Sequence, residues 1–247
     1  MKSILITGSS QGIGKGIALH FAALGYHVFV TYHTHKELGE QVLDEIKKNG
    51  WSATLIQVDA GNEASVQSLY KSIAATTDTL DILVNSAGAE CGGNLETLTF
   101  SEWKKTLYPR LDGYFLCTKY AVPFLKKSDN PNVICIMSSL YENVDPEDPS
   151  ACTADGGTVS FIKAIAVYLA KYKIRTNGVG PSEVETSLPY WVKNGSPEFF
   201  TQIAKDNPLG RICTSKDVAQ TIQLLVEDPG KFLNGNIIYV TGGNHLK

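Results

Sequence analysis

Ile4-Leu5-Ile6-Thr7-Gly8-Ser9-Ser10-Gln11-Gly12-Ile13-Gly14 is the stretch that decides the fold. Its first three residues are apolar, as in a strand that is buried on both faces of a parallel sheet. Three glycines then mark a turn, and the apolar residues that follow recur at helical spacing: Ile13, Ile17, Phe21 and Leu24. This order predicts a phosphate site, because the free N–H groups and the dipole of a helix N-terminus favour negative charge. The spacing Gly-x-x-x-Gly-x-Gly differs from the common dinucleotide fingerprint, so an ordinary glycine-rich loop is the alternative.

The composition is that of an ordinary globular protein. The chain has 247 residues, of which 43% are hydrophobic and 19% are charged. This length suffices for one large core, so we expect a single domain over residues 1–247. A net charge of −3 without a basic stripe argues against a nucleic-acid partner. Because no apolar run is long enough to span a bilayer, we expect no membrane partner either.

The cysteines indicate a reducing compartment. They are scattered without a Cys-x-x-Cys pair, at Cys91, Cys117, Cys135, Cys152 and Cys213. This pattern is typical of free thiols rather than of disulfides or a zinc site, and we expect no metal. The first strand begins close to Met1, which leaves no room for a signal peptide. The expected location is therefore cytoplasmic.

Strands alternate with helices along the rest of the chain. Apolar runs predict further strands over 27–32, 53–58, 81–84, 133–137, 174–179 and 236–240. The capping box Thr99-x-x-Glu102 opens a helix that we expect to run to about Lys127. The residues expected on its buried side are Leu107, Leu111, Phe115 and Val122. The alternation predicts an α/β fold with one Rossmann-type, doubly wound parallel sheet of about seven strands.

The end of the second predicted strand bears on the choice of cofactor. Rossmann-type sites for NAD usually carry an acid there, which holds the ribose 2′-hydroxyl. Here the chain reads Thr31-Tyr32-His33-Thr34-His35-Lys36, with no acid before Glu37. Basic and hydroxyl groups suit a 2′-phosphate, so His33 and its neighbours favour NADP(H) over NAD(H). The alternative is that these residues are simply solvated.

Short motifs follow one another along essentially the whole chain. They are Thr7–Gly14, Asp59, Asn85–Gly88, Ser138–Ser139, Ile174–Asn177, Pro181–Thr186, Pro208–Arg211 and Val240–Gly243. In this order and at these intervals they resemble the short-chain dehydrogenase/reductase family, and most of all its β-ketoacyl carrier-protein reductases. The resemblance implies a carbonyl oxidoreductase of the 3-oxoacyl type by ancestry, with a small-molecule or acyl-type substrate.

The resemblance also implies which residues hold the cofactor. The residues that would surround the pyrophosphate are Gly8, Ser10, Gly12, Ile13 and Gly14. Asp59 would meet the adenine. The residues that would line the adenosine ribose are Asn85, Ala87 and Gly88, and those at the nicotinamide end are Pro181, Val184 and Thr186.

The positions that correspond to the family's catalytic residues depart from the family pattern. Family reductases use an Asn, a Ser, and a Tyr followed four residues later by a Lys. The Tyr protonates the carbonyl oxygen as hydride arrives, and the Lys keeps it acidic and holds a ribose. Counting back from 161–186, the Tyr position is Ala151 and the Lys position is Asp155, while the Asn position falls on Arg110. Only the serine survives, as Ser139 or Ser138, although alignment error is the alternative for each substitution alone.

Two of these substitutions are complementary in charge. A cation stands where Asn is expected and an anion where Lys is expected, and these places face each other in the family. We therefore expect an ion pair between Arg110 and Asp155, since a buried charge without a partner is costly.

Three functions follow from this pattern. The first is an NADPH-dependent carbonyl reductase with a substitute acid, for which Tyr141 and Cys152 are the nearest candidates. The second is a nucleotide-binding subunit without activity, in a homo-oligomer or together with an active paralogue. Family members commonly assemble through two long helices, here about 100–127 and 151–172. The third is a dehydratase or isomerase that uses Arg110 and Asp155.

The segment 187–207 corresponds to the family's substrate lid. Its aromatic residues are Tyr190, Trp191, Phe199 and Phe200. They suggest an apolar ligand, although packing beneath a loop is the commoner use of such residues.

Overall fold

The computed structural model describes residues 1–89, 91–186 and 197–246. The strands are β1 Ser3–Ile6, β2 His27–Tyr32, β3 Ala53–Gln57, β4 Ile82–Asn85, β5 Asn132–Ile136, β6 Arg175–Pro181, β7 Val184–Glu185, β8 Cys213–Thr214 and β9 Ile237–Val240. The helices are α1 Gly12–Ala23, α2 Lys36–Lys48, α3 Glu63–Ala74, α4 Phe100–Leu107, α5 Gly113–Leu125, α6 Pro149–Leu169, α7 Pro197–Asp206 and α8 Ser215–Val226.

Seven strands form one parallel sheet. Their order across it is β3-β2-β1-β4-β5-β6-β9, and β7 and β8 form a separate short pair. The strand order reverses between β1 and β4, which leaves a crevice at their carboxyl ends, where ligands bind in folds of this kind. The predicted doubly wound sheet of about seven strands is thereby confirmed.

Helices cover both faces of the sheet. Ile4 and Ile6 of β1 pack into a core layer with α1, α2 and α8, whereas Leu5 points into the opposite layer with α3, α5 and α6. All three side chains are fully buried, so each contributes about 1.5–3 kcal/mol through removal of apolar surface from water. The apolar run at the start of the chain therefore fixes the centre of both layers.

The helix expected from Thr99 to about Lys127 is interrupted. The capping box of Thr99 and Glu102 is present at the start of α4, but one turn of π-helix, Tyr108–Asp112, separates α4 from α5. A π turn contains more residues than an α turn, so the buried face rotates after it. The prediction that Phe115 faces inward was wrong, since 51% of it is exposed. Its neighbours Tyr114 and Leu116 enter the core instead.

The predicted lid is described in part. Tyr190 and Trp191 lie outside the described residues, whereas Phe199 and Phe200 lie in α7 with ring centroids 5.9 Å apart. Among the described residues, no helix is both long enough and apolar enough to cross a membrane.

Candidate functional site

The glycine turn between β1 and α1 leaves no space for side chains. Gly8 and Gly12 have φ angles of +68° and +60°, which residues with a Cβ rarely adopt. A Cβ on Gly8 would lie 2.9 Å from Ala87 Cα, and one on Gly14 would lie 2.4 Å from the Gly8 carbonyl oxygen. The turn therefore packs closely against its own backbone and against the loop after β4.

Hydroxyl groups fix the shape of this turn. Thr7 Oγ1 accepts hydrogen bonds from the backbone N–H groups of Ser86 and Ala87, at 2.9 and 3.0 Å. Thr31 Oγ1 accepts from the N–H of Gly8 at 2.9 Å, and Ser9 Oγ accepts from the N–H of Thr31 at 2.8 Å. The turn is thus tied to both neighbouring strands. Sequence reasoning assigned no role to these hydroxyls, because an isolated Thr or Ser carries no signal of its partner.

His33 and Asp59 meet at the ends of β2 and β3. The His33 Nε2 atom lies 3.8 Å from Asp59 Oδ2, and the histidine is exposed. Lys36, by contrast, is paired with Glu40 at 2.9 Å. Of the basic residues predicted to face a 2′-phosphate, His33 is therefore the one that lies beside Asp59.

Tyr108 was missed by sequence reasoning. Its ring covers Gly61, where an added Cβ would lie 2.4 Å from the ring. Burial raises the pKa of the Tyr108 phenol, and the charge of Asp59 together with a hydrogen bond to it raises this pKa further. No motif includes this contact, since it joins the π turn to a loop about 50 residues earlier in the chain.

The end of β4 supplies the next part of the crevice. Ala87 and Gly88 reach its surface, but Asn85 is fully buried and donates to Thr118 Oγ1 at 3.0 Å. Strand pairing turns the Asn85 side chain into the core, and the expectation that Asn85 lines a ribose stays a prediction. The buried Asn85 side chain thus supports the loop after β4 from the side of the core.

The last part of the crevice lies beyond β5, where β6 ends at Pro181. Val184 and Thr186 come shortly after this strand end. Pro181 and Val184 are buried, and Thr186 Oγ1 is a buried hydroxyl that has no hydrogen-bond partner among residues 1–89, 91–186 and 197–246. Buried polar atoms are nearly always satisfied, so this hydroxyl is suited to a ligand group. Together with the close-packed glycines, it fits a dinucleotide that extends from His33 to Thr186.

Arg110, Asp155 and Ser138 meet beside this crevice. Asp155 is 0% exposed on α6, and its Oδ1 lies 3.4 Å from Arg110 Nη1 in the π turn. Its Oδ2 accepts from the backbone N–H of Ser138 at 2.9 Å and from the Ser138 hydroxyl through a short hydrogen bond. The predicted ion pair between Arg110 and Asp155 is confirmed.

The other candidate residues lie around this pair. Ala151 is buried one helical turn before Asp155. The Ser139 side chain makes no hydrogen bond within the described part of the chain, unlike that of Ser138. Tyr141 is half-exposed, and its ring lies over Gly156, where an added Cβ would be 3.7 Å away. Cys152 Sγ in the first turn of α6 accepts from the backbone N–H of Asp145 at 3.4 Å, so it ties the start of α6 to the loop before it.

Tyr239 of β9 also borders this centre and was not predicted. Its ring packs against Gly180, where an added Cβ would lie 2.9 Å from it, and stacks on His245 at 4.8 Å. Burial raises the pKa of Tyr239 to about 12, and the neighbouring Glu142 adds to the shift. Its phenol is therefore protonated at neutral pH.

Known proteins resemble this chain along its whole length. A family profile described as enoyl-(acyl carrier protein) reductase matches residues 8–245. The 3-oxoacyl-[acyl-carrier-protein] reductase FabG of Staphylococcus aureus (strain Mu50) is 31% identical over 245 residues, which cover 99% of this chain and 98% of that protein. The (2S)-[(R)-hydroxy(phenyl)methyl]succinyl-CoA dehydrogenase subunit BbsD of Thauera aromatica is also 31% identical, over 98% of this chain and 96% of that protein.

Solved structures share the fold. The promiscuous reductase LugOII, which catalyses a keto-reduction in lugdunomycin biosynthesis, superimposes with a TM-score of 0.90 at 26% identity over 99% of this chain and 98% of its own. The angucycline C-6 ketoreductase LanV, solved with bound NADP, has the same TM-score at 23% identity over 100% and 96% of the two chains. With the matched profile and relatives over nearly its full length, the chain belongs to the short-chain dehydrogenase/reductase family.

Proposed function

We propose that this chain is a short-chain dehydrogenase/reductase that binds NADP(H) but has lost the tyrosine-dependent carbonyl reduction of its family. One observation carries the proposal: Asp155 is fully buried, bonded to Ser138 and paired with Arg110. The family's reductases need a lysine at this place to keep the tyrosine acidic. A buried carboxylate has the opposite charge, and Ala151 has no proton to donate.

The proposal assigns the cofactor to residues along the crevice. The residues that would hold the dinucleotide are Gly8, Ser10, Gly12, Ile13, Gly14, Ala87, Gly88, Pro181, Val184 and Thr186. When bound, NADPH would supply a hydride from its nicotinamide ring. A positioned acid accelerates such reactions by about 10²–10⁴-fold, so we expect carbonyl reduction by this chain to be slower by about that factor.

The choice of NADP(H) over NAD(H) rests on the end of β2. No carboxylate follows the strand before Glu37, and His33 lies there beside Asp59. A 2′-phosphate at the end of β2 would therefore meet the His33 imidazole, which lies 3.8 Å from the Asp59 carboxylate. The structure of LanV with bound NADP supports the same choice by analogy.

A protein that holds a nucleotide without reducing ketones suits a subunit role. BbsD carries the word subunit in its name, and the present chain has exposed apolar side chains on both long helices. Phe115 lies on α5, whereas Val167 and Tyr168 lie on α6. We propose that these faces join copies of this chain, or this chain and an active paralogue.

Slow reduction with Tyr141 as the acid is the second candidate function. Its support is the place of the Tyr141 ring over Gly156, next to Asp155 in α6. A dehydratase or isomerase that uses Arg110 and Asp155 is less well supported, because the two groups bind each other at 3.4 Å and Asp155 is fully buried.

The test is an assay with NADPH and a panel of ketoacyl thioesters and simple ketones. Wild type is compared with a variant that carries Arg110→Asn, Ala151→Tyr and Asp155→Lys together. We expect wild type to be about 10²–10⁴-fold below the roughly 1–10³ s⁻¹ of ordinary enzymes, and the triple variant to be faster. Wild-type turnover at ordinary rates would contradict the proposal. If slow turnover is found and Tyr141→Phe abolishes it, the second candidate function is correct.

A further inference from the structure

Tyr239 of β9 and the turn that follows Ser138 lie next to each other. A Cβ added to Gly180 would lie 2.9 Å from the Tyr239 ring and 3.1 Å from the Ser138 carbonyl oxygen. The chain then folds back, because the N–H of Glu142 donates to the Ser139 carbonyl oxygen at 3.1 Å. The Tyr239 phenol donates a hydrogen bond to the Glu142 carboxylate. A phenol and a carboxylate are thus brought together at the end of the sheet.

Tyr141 adds an aromatic surface to this pair. The residue is 43% exposed, and a Cβ added to Gly156 would lie 3.7 Å from its Cδ2 atom. Burial contributes most to the raised pKa of Tyr239, and the nearby Tyr141 and Asp155 side chains raise this pKa further. We call Tyr141, Glu142 and Tyr239 the tyrosine–glutamate cluster. The cluster therefore borders the centre that contains Asp155.

No lysine or arginine of the described residues 1–89, 91–186 and 197–246 forms an ion pair with Glu142. The segment 139–149 holds four carboxylates and neither lysine nor arginine. Glu147 of this segment accepts a hydrogen bond from the Asn94 amide at 2.9 Å. Glu142 is exposed, and a carboxylate has about four acceptor sites, so the bond from the phenol leaves room for a further donor.

A similar arrangement elsewhere in the chain holds an ammonium group. Between α3 and α5, Tyr120 donates to Glu63 Oε1 at 2.7 Å, and Lys119 Nζ binds the same oxygen at 2.9 Å. This ammonium also lies 5.1 Å from the centre of the Tyr120 ring and 5.8 Å from that of the Phe115 ring. Aromatic faces attract a cation within about 6 Å, and a carboxylate attracts it at short range. A tyrosine-bonded carboxylate with a second ring nearby thus suits an ammonium in this protein.

We propose that the tyrosine–glutamate cluster binds the ammonium group of a small organic amine. The nitrogen lies against the Glu142 carboxylate, and the carbon that carries it lies beside the Tyr141 ring. The cluster shares no residue with the assigned cofactor contacts, so this inference goes beyond the proposed function and does not rest on it. A ligand that carries a carboxylate or phosphate at this place is disfavoured, because the four carboxylates of 139–149 repel it.

The test is a titration of the isotope-labelled full chain with n-butylamine, whose protonated form has the length and charge of a lysine side chain. The neutral probe is n-butanol, which has the same carbon chain. Shifts of the backbone amide signals in NMR spectra give both the dissociation constant and the place of binding. The variants are Glu142→Gln and Tyr141→Leu. The matched control is Glu147→Gln, which removes one charge from the same loop, and circular dichroism checks the fold of each variant.

Wild type is expected to bind n-butylamine about fivefold or more tightly than n-butanol, with the largest shifts at residues 140–143 and 239. Glu142→Gln should remove this preference, and Tyr141→Leu should weaken amine binding by about two- to fivefold. Glu147→Gln should stay within about twofold of wild type. Equal affinity of wild type for both probes, an equal loss in the two glutamine variants, or shifts that are largest elsewhere would overturn the inference. Since no nucleotide is present in this titration, such a result would leave the proposed function standing.

Discussion

At the scale of single residues, the centre beside the crevice depends on one buried carboxylate. Asp155 has donors on both sides, Ser138 on one and Arg110 on the other. Removal of one member of a buried pair leaves the other charge without a partner, which typically costs about 3–5 kcal/mol, whereas removal of both is often close to neutral.

A double-mutant cycle tests this dependence. We expect Arg110→Met to lower the free energy of unfolding by about 3 kcal/mol, because the buried Asp155 carboxylate then loses the guanidinium at 3.4 Å. The double variant with Asp155→Asn should recover at least about 1 kcal/mol of this loss. Urea unfolding at neutral pH gives the free energies of unfolding of wild type, the two single variants and the double variant. A coupling energy near zero, with both single variants harmless, would show that the pair contributes nothing to stability.

At the scale of elements, the N-terminus of α8 has its own charge-dependent cap. Asp217 accepts hydrogen bonds from the backbone N–H and hydroxyl of Thr214, at 2.9 and 2.7 Å, and binds Arg211 at 2.7 Å. The hydrogen bond from Arg211 holds the pKa of Asp217 well below its usual range. A carboxylate with a lowered folded-state pKa stabilises the fold above its unfolded pKa, which is about 3.9.

The variant Asp217→Asn should therefore lose stability in a pH-dependent way. We expect a loss of about 1–2 kcal/mol between pH 5 and 7, because the charge-assisted cap is weakened. The difference from wild type should shrink as the pH falls below about 4, towards the lowered pKa of the folded state. Urea unfolding at several pH values measures this difference, with Asp44→Asn at an exposed position of α2 as the control. A difference that stays constant down to pH 3 would contradict this account.

The glycine turn before α1 makes a prediction about binding. Gly14→Ala places a Cβ 2.4 Å from the Gly8 carbonyl oxygen, which is backbone and cannot rotate away. We expect the turn to shift, with a loss of about 1–3 kcal/mol in stability and of nucleotide binding. Gly50→Ala is the control, since Gly50 has φ +77° with no atom within 4 Å of an added Cβ. Its backbone strain costs about 1–2 kcal/mol but leaves binding intact. Equal nucleotide affinity in both variants would contradict the prediction.

The elements also show what the sequence can and cannot predict. The apolar run of β1, the glycines and the capping box at Thr99 are local signals, and the structure contains each of them. The phase of α5 was predicted wrongly at Phe115, because the π turn before it depends on tertiary contacts of Tyr108 with Gly61 and Asp59.

The candidate site also contains features that the sequence predicts and features that it does not. The pairing of Arg110 with Asp155 was predictable because the family resemblance places these two opposite charges at facing positions. The burial of Asn85 and the position of Tyr239 were not predictable from any motif. They follow from strand pairing and from contacts between segments that are distant in sequence.

At the scale of the whole molecule, the long helices present apolar side chains to solvent. Val167 on α6 is 80% exposed, close to the exposed Tyr168. If this face joins subunits, Val167→Glu should shift the protein to a smaller species in sedimentation, because it places a charge in an apolar interface. Leu24→Glu, at the end of α1, is the control for added charge. A sedimentation coefficient of Val167→Glu equal to that of wild type would refute assembly through this face.

A titration of the purified protein with NADPH, and separately with NADH, tests whether the crevice binds NADP(H). Tryptophan quenching and energy transfer to the nicotinamide report binding. We expect a dissociation constant for NADPH in the micromolar range and weaker binding of NADH. Equal affinity for both would contradict the role of His33 at the 2′-phosphate. No binding of either nucleotide at millimolar concentration would contradict the account itself.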